Sequence, residues 1–260
     1  AADLRRAAVA LAGRHGAATR DDVPRAPEAP ARATCFGSFS LVVDGRPLPL
    51  SGLRPRARSV LRLLALQGGR PLHREVLLAS LWPETDQVSA ARSMLTTLSS
   101  VRAVLVSTPA EGALSREGAA YRLDPEAVVT DVALADAALD RARRAAADLA
   151  ADADGAYVAA LDLYAGELLA EEGPAEWVVE PREDWRVRMA GAAHELAVLR
   201  YRRGQTAAAA AAARRGLAVD RRSDQLWRVL VAALRAGEDD VAAERAESDY
   251  GSLLSELAVG

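Results

Sequence analysis

The sequence predicts a mainly α-helical chain with small antiparallel β elements: a winged helix-turn-helix followed by a tetratricopeptide-like helical repeat domain. Three observations predict it. Between Arg70 and Leu123, two amphipathic helical patterns precede a glycine-turned hairpin that ends in an aromatic residue. From Asp131 onward the pattern is almost entirely helical, and Gly204/Gly237 and Ala209/Ala242 recur at the same 33-residue offset. Aromatic residues are only 4% of a chain that is 50% hydrophobic, so its cores are aliphatic and alanine-rich, which suits helices better than sandwiches.

Each element has a local cause. Residues 3–15 are rich in Ala, Leu and Arg with a helical pattern, and Ala18 to Ala33 carries three prolines and mixed charge. Residues 1–32 therefore read as an N-terminal helix and linker. Because the chain starts at Ala1 rather than Met, this helix is also readable as the end of a preceding domain. Cys35 to Val43 alternates in a β-rich manner, Asp44-Gly45 is a hairpin signal, and Arg46 to Leu50 returns as a second short strand, giving an antiparallel N-terminal sheet. Pro55 occupies a first helical position ahead of Val60, Leu61, Leu63, Leu64 and Leu66, and Gly68-Gly69 closes that helix. A second helix over His73–Leu81 is expected to bury Val76, Leu77 and Leu81 before Trp82-Pro83 ends it. The third, over Gln87–Val106, places Met94, Leu98, Val101 and Leu105 at spacings of 4, 3 and 4, one apolar face of a helix. Ala113 to Leu123 forms the hairpin. Residues 33–123 thus form a winged-helix domain and 124–260 a helical-repeat domain. Repeat helices are expected near 131–150, 154–170, 184–203, 205–218, 222–236 and 239–257. The seven alanines from Ala207 to Ala213 let neighbouring helices approach closely.

Composition removes several function classes. All 33 basic residues are arginine, so neither a phosphate-loop lysine nor a Schiff-base lysine is present. Cys35 is the single cysteine, and His15, His73 and His194 lie far apart, so no metal-ligand spacing arises. Glu180, Arg182, Glu183 and Asp184 form a charge run rather than a catalytic pair, and the sequence points to neither an enzyme nor a cofactor. There is no apolar run of about 18 residues and no signal peptide, which predicts no membrane span and a cytoplasmic setting. Charge is uneven: residues 33–123 hold 11 arginines against 6 acids, whereas 124–260 carry a net charge of −10. A basic part facing a polyanion and an acidic part facing proteins are implied.

The second helix of such a motif lies in the major groove of double-stranded DNA. Arg92 is the expected main contact, to a guanine or a phosphate. Ser93, Thr96, Thr97, Ser99 and Ser100 supply hydroxyls on the same face. Arg116 at the hairpin tip is placed for a minor groove, and the Trp82 indole N–H for a phosphate. A continuous positive face over Arg92, Arg116 and Arg122 would support DNA binding; a broken one would not.

These residues resemble the Streptomyces antibiotic regulatory proteins and their larger relatives, which join an OmpR-type winged helix to a bacterial transcriptional activator domain built on tetratricopeptide-like repeats. The resemblance covers roughly 34–257. It rests on Asp44-Gly45-Arg46-Pro47, on Arg70-Pro71 through Leu81-Trp82-Pro83, and on Arg122-Leu123-Asp124-Pro125 with Thr130-Asp131-Val132. Leu163-Tyr164 with Gly166-Glu167-Leu168-Leu169, then Trp177 and Arg182, and finally Leu254-Ser255-Glu256-Leu257 complete it. It implies a DNA-binding transcriptional activator with repeats for homodimerisation or partner contact, and a turn at Glu84, Thr85 and Asp86 facing RNA polymerase. The chain departs from the pattern where members carry basic residues, at Ser100 and Ala103 and often Thr96 or Ser99, and where an aromatic is replaced by Ala135. A second reading therefore stays open: a protein-interaction module with a degenerate, non-DNA-binding winged helix.

Overall fold

The computed structural model describes residues 29–148, 150 and 152–259. The helix expected over 3–15 lies outside the described residues. Strands β1 (Ala31–Thr34), β2 (Ser40–Val43) and β3 (Arg46–Pro47) open the chain, followed by helix α1 (Pro55–Leu66), strand β4 (Leu72–His73) and helices α2 (Arg74–Leu81) and α3 (Gln87–Leu105). Strands β5 (Leu114–Glu117), β6 (Ala120–Leu123) and β7 (Val128–Thr130) come next. Helices α4 (Asp131–Ala147), α5 (Ala153–Leu163), α6 (Glu176–Arg202), α7 (Thr206–Val219), α8 (Asp224–Ala236) and α9 (Asp240–Val259) complete it, with a 3-10 turn at Ala170–Glu172 after α5. The architecture is mainly helical, a winged helix followed by helical hairpins, as the periodicities predict.

The winged helix closes as the pattern requires. Pro55 is at the first turn of α1, where its missing N–H is no loss. The apolar stripe of α3 is buried, Leu98 at 0% and Met94 at 2% exposure, and faces α1. The wing is a three-stranded sheet in the order β4-β6-β5, turning at Gly118 with φ +59°. Leu72 pairs with Tyr121 in that sheet, an element not expected from sequence. Val76, expected in the core, is 48% exposed; Leu77 and Leu81 carry the buried face of α2.

The N-terminal sheet differs from expectation in register and in direction. β1 occupies Ala31–Thr34, upstream of the predicted strand, and Asp44-Gly45 joins β2 to β3 with φ of +47° and +72°. Both central residues are left-handed, the geometry of a turn that matches strand twist. The sheet order is β3-β2-β1-β7, and β7 runs parallel to β1, pairing Ala31 with Val128. A strand from just before α4 thus completes the sheet begun at the N-terminus.

Residues 35–39, predicted as strand, form a seam between the winged helix and the helices. Buried Asp131 accepts the Cys35 and Phe36 N–H groups at 2.8 Å and its neighbour Val132 N–H at 2.9 Å. Burial holds its pKa above the ordinary carboxylate value, against the pull of those amides. Residues 164–170, predicted as the end of a helix over 154–170, instead run with 171–173 as a strap across this seam. The Leu169 N–H donates to the Cys35 carbonyl at 2.8 Å, and the Gly37 N–H to that of Glu167 at 2.9 Å. Gly166 suits this close approach, because a Cβ would lie 3.3 Å from the Gly37 Cα and press the two backbones apart. Arg182 donates to the carbonyls of Leu168 at 2.7 Å, Leu169 at 2.6 Å and Gly173. Arg62 on α1 pairs with Glu172 at 2.5 Å and Glu171 at 3.0 Å. Phe36 fills the middle, with the rings of Tyr164 and Trp185 each 5.0 Å away.

Beyond the seam, α6 pairs with α7 and α8 with α9 as successive antiparallel hairpins. The helix expected to start near 184 begins at Glu176 and runs through Pro181. Gly204 and Gly237 sit just past the first helix of each hairpin, where the 33-residue offset places them. The alanine run lies in α7, with Ala209, Ala210, Ala212 and Ala213 buried. Gly216 allows the closest contact, since a Cβ would meet Leu226 at 2.7 Å and Ala193 at 2.8 Å.

Candidate nucleic-acid interface

Helix α3 is 19 residues, roughly 28 Å at 1.5 Å per residue, and contains no acidic side chain. Its core stripe fixes its outer stripe. Arg92, Thr96, Ser99 and Ala103 follow one another at spacings of 4, 3 and 4 on the side opposite Met94, Leu98 and Val101, and all four are exposed. Ser93 and Ser100 flank that line and are also exposed, whereas Thr97 turns toward the core edge and is half-buried. On the other flank stand Val88, 71% exposed, and Leu95, 52% exposed. Neither was singled out from sequence. The signal was present in Leu95, an apolar residue off the Met94–Leu98 stripe and three places after Arg92. Apolar side chains there suit thymine methyl groups.

Three of the five hydroxyls are not free donors. Thr96 donates to the Arg92 carbonyl at 3.2 Å, Thr97 to that of Ser93 at 2.7 Å and Ser100 to that of Thr96 at 3.1 Å. A phosphate oxygen only accepts, so each must give up its helix bond to reach one. Arg92 is thus the one cation on the outer stripe. The amino end of α3 is also engaged: Asp86 caps it, accepting the Ser89 N–H at 3.0 Å, and that hydrogen bond holds its carboxyl below the ordinary value. The helix dipole therefore meets a carboxylate at this end rather than an open anion site. Glu84, Thr85 and Asp86 form an exposed turn between α2 and α3.

The remaining cations are placed differently from one another. Arg116 is exposed on the wing, but its Nε donates to the Gly118 carbonyl at 2.8 Å and its guanidinium lies 6.0 Å over Tyr121. Arg122 pairs with Glu117 at 2.9 Å, so its charge is matched by a carboxylate on the same hairpin. Arg102 reaches the Leu114 carbonyl at 3.4 Å and braces the wing against α3. Trp82 is 8% exposed beneath Arg56, whose guanidinium lies 5.5 Å over the ring and donates to the Leu81 carbonyl. The surface at this corner belongs to Arg56. Tyr121 is buried at 3% exposure. Among the described residues, no cluster of three or more His, Cys, Asp or Glu side chains is arranged for a metal ion, and no helix is long and apolar enough to cross a membrane. Cys35 is buried, and burial beside Asp131 pushes its thiol pKa up, away from reactivity.

No family model matches the chain, and no curated protein matches it. Among solved structures, the fold is similar to EmbR of Mycobacterium tuberculosis, determined in complex with a low affinity phosphopeptide, with a TM-score of 0.74 at 23% identity. The likeness covers 88% of this chain and 61% of that one, so the chain spans about three-fifths of the length of EmbR. At this identity the likeness is one of fold: a winged helix continued by helical repeats.

Proposed function

We propose that this chain is a DNA-binding transcriptional regulator of activator type, with an OmpR-like winged helix on promoter DNA and tetratricopeptide-like repeats of the bacterial transcriptional activator kind for dimerisation or partner contact. One observation carries the reading: the outer stripe of α3 is exposed along its length, free of acids, and headed by Arg92. Seating α3 in a major groove sets Arg92 at a base or phosphate, with Val88 and Leu95 on one flank and serines on the other. Arg116 then lies on the wing, toward the neighbouring minor groove. The exposed turn Glu84-Thr85-Asp86 is left for RNA polymerase, and the repeats for a second copy or another protein.

The test is fluorescence anisotropy on a promoter fragment from the chain's own locus, titrated with salt. Submicromolar binding with a steep negative salt slope is expected, weakened by about 1–3 kcal/mol in Arg92→Ala if that side chain is bidentate to a base. Affinity in the millimolar range, flat with salt, would end this reading.

A second reading, an interaction module with a winged helix that no longer binds DNA, is favoured by the back-bonded hydroxyls of Thr96, Thr97 and Ser100 and by the Arg122–Glu117 pair. The same titration separates the two.

A further inference from the structure

The helical region holds a recess rimmed by arginines, none of its lining drawn from α3. It lies between α7 and α9, is floored by α8, and has a volume of 590 Å³. Helix periodicity builds both walls. Arg214, Leu217, Ala218 and Arg221 lie at spacings of 3, 1 and 3, on α7 and just past its end. On α9, Ala242, Arg245, Ala246 and Asp249 line the opposite wall at spacings of 3, 1 and 3. Ala218 on one wall and Ala242 and Ala246 on the other recess the surface between the arginines. The floor is apolar and rigid. Trp227 is 8% exposed, its indole N–H donates to the Arg221 carbonyl at 2.9 Å, and its ring stacks on Tyr250 at 5.7 Å. The Tyr250 hydroxyl is fixed in turn by Asp224 at 2.5 Å. Trp227 thus presents ring surface rather than a donor.

Charge indicates what fits. Residues 124–260 carry a net charge of −10, yet three arginines and a single acid line this recess. Arg221 is partnered by Glu256 at 3.6 Å, outside the recess, while the ion pairs among the described residues include none for Arg214 or Arg245. A cationic rim around an apolar, aromatic floor in an otherwise acidic region complements a chain of the opposite composition. The α9 wall from Ala242 to Ser252 is roughly 15 Å long, the span of about five extended residues.

We infer that the α7–α9 groove is a docking site for an acidic segment of a partner protein, with Glu or Asp side chains on Arg214 and Arg245 and an apolar side chain on the Trp227 floor. The inference rests on the repeats serving partner contact and not on DNA binding by α3. A fluorescein-labelled peptide alternating glutamate pairs with leucine serves as probe, with its glutamine counterpart as control, against the full chain. The acidic peptide is expected to bind at about 10–100 µM at low salt, and the glutamine peptide far more weakly. Arg214→Glu/Arg245→Glu should weaken binding at least about tenfold with the melting temperature unchanged. If that protein does not fold, Arg214→Gln/Arg245→Gln carries the same test. Equal binding of both peptides, or unchanged binding by the variant, overturns the inference. So does a dimer in sedimentation velocity that the variant dissolves while no peptide binds, which gives the groove to a second copy. Displacement of the peptide by random-sequence duplex at equal affinity also overturns it. Promoter binding on the same samples separates the claims. Its loss with peptide binding intact defeats the regulator reading alone, and the reverse defeats the groove alone.

Discussion

Arginine is used in opposite ways on two sides of this molecule. At the seam, Arg62 and Arg182 have side chains only 15% and 14% exposed and are held by partners from distant parts of the chain. On α3 and the wing, Arg92 is exposed and Arg116 is held only within its own hairpin, by the Gly118 carbonyl and the Tyr121 ring. The seam is over-determined: an aromatic cluster, a buried carboxylate and two multidentate guanidiniums fix one geometry. The α3 face is held by its buried stripe, the Asp86 cap and Arg102, and the residues of its outer stripe are replaceable at little cost to the fold. Structure should therefore respond to the seam and binding to α3, with little crossover.

The largest effect expected is at Asp131. Asp131→Ala leaves the Cys35 and Phe36 amides without an acceptor in a buried place. About 3 kcal/mol of stability should be lost, a fall in melting temperature of roughly 8 °C. Because β7, α4 and the strap meet there, the winged helix and the repeats should unfold in one shifted transition. Calorimetry showing the repeats melting at their original temperature would mean that the seam does not couple them. Arg182→Ala should follow at about 2 kcal/mol, since it orphans the carbonyls of Leu168, Leu169 and Gly173. Both variants should leave the salt slope of promoter binding unchanged, provided each is assayed below its melting temperature.

That division explains what could be read from sequence. The helices of the winged unit were legible within a residue or two because their apolar spacing and their stops, Gly68-Gly69 and Trp82-Pro83, are local. The hairpin offset was legible because Gly204 and Gly237 repeat. The seam was not. β4 and β7 are two and three residues long, too short to show alternation, and exist only through distant partners. The strap's first part, 164–170, reads as helix by local pattern, but Gly166 and the left-handed Leu169, φ +48°, meet the Cys35–Gly37 backbone instead. Helix α6 passes Pro181, which local rules take as a stop. On α3, spacing separated core from surface but did not reveal that the threonine and serine protons bond to the helix, nor that Val88 and Leu95 stand in the open.

A gain-of-function pair sharpens the α3 side. Thr96→Arg/Ser99→Arg adds two cations to the outer stripe where neither residue contributes to the core. Each new phosphate contact should steepen the salt slope by about 0.9, while stability stays within about 0.5 kcal/mol of the parent. An unchanged slope with the fold intact would place α3 away from the DNA backbone and favour the interaction-module reading.

The smallest effect tests an ion pair remote from both regions. Asp154, in the first turn of α5, accepts from Arg200 on α6 through both oxygens, at 2.7 and 2.8 Å. Those hydrogen bonds hold the Asp154 carboxyl below its ordinary value. A carboxylate whose pKa is depressed by folding stabilises the folded state above its unfolded pKa, and that contribution is lost as pH falls through the folded pKa. Asp154→Asn should therefore melt slightly below the parent at about pH 6, by no more than about 1 kcal/mol because the pair is partly solvated, and the gap should narrow as pH falls below about 4. A gap that widens with acid would reverse the sign and show that Arg200 is held by something other than the Asp154 charge. A gap unchanged by pH would reduce the contact to packing, leaving the seam as the region where ionic partners decide the fold.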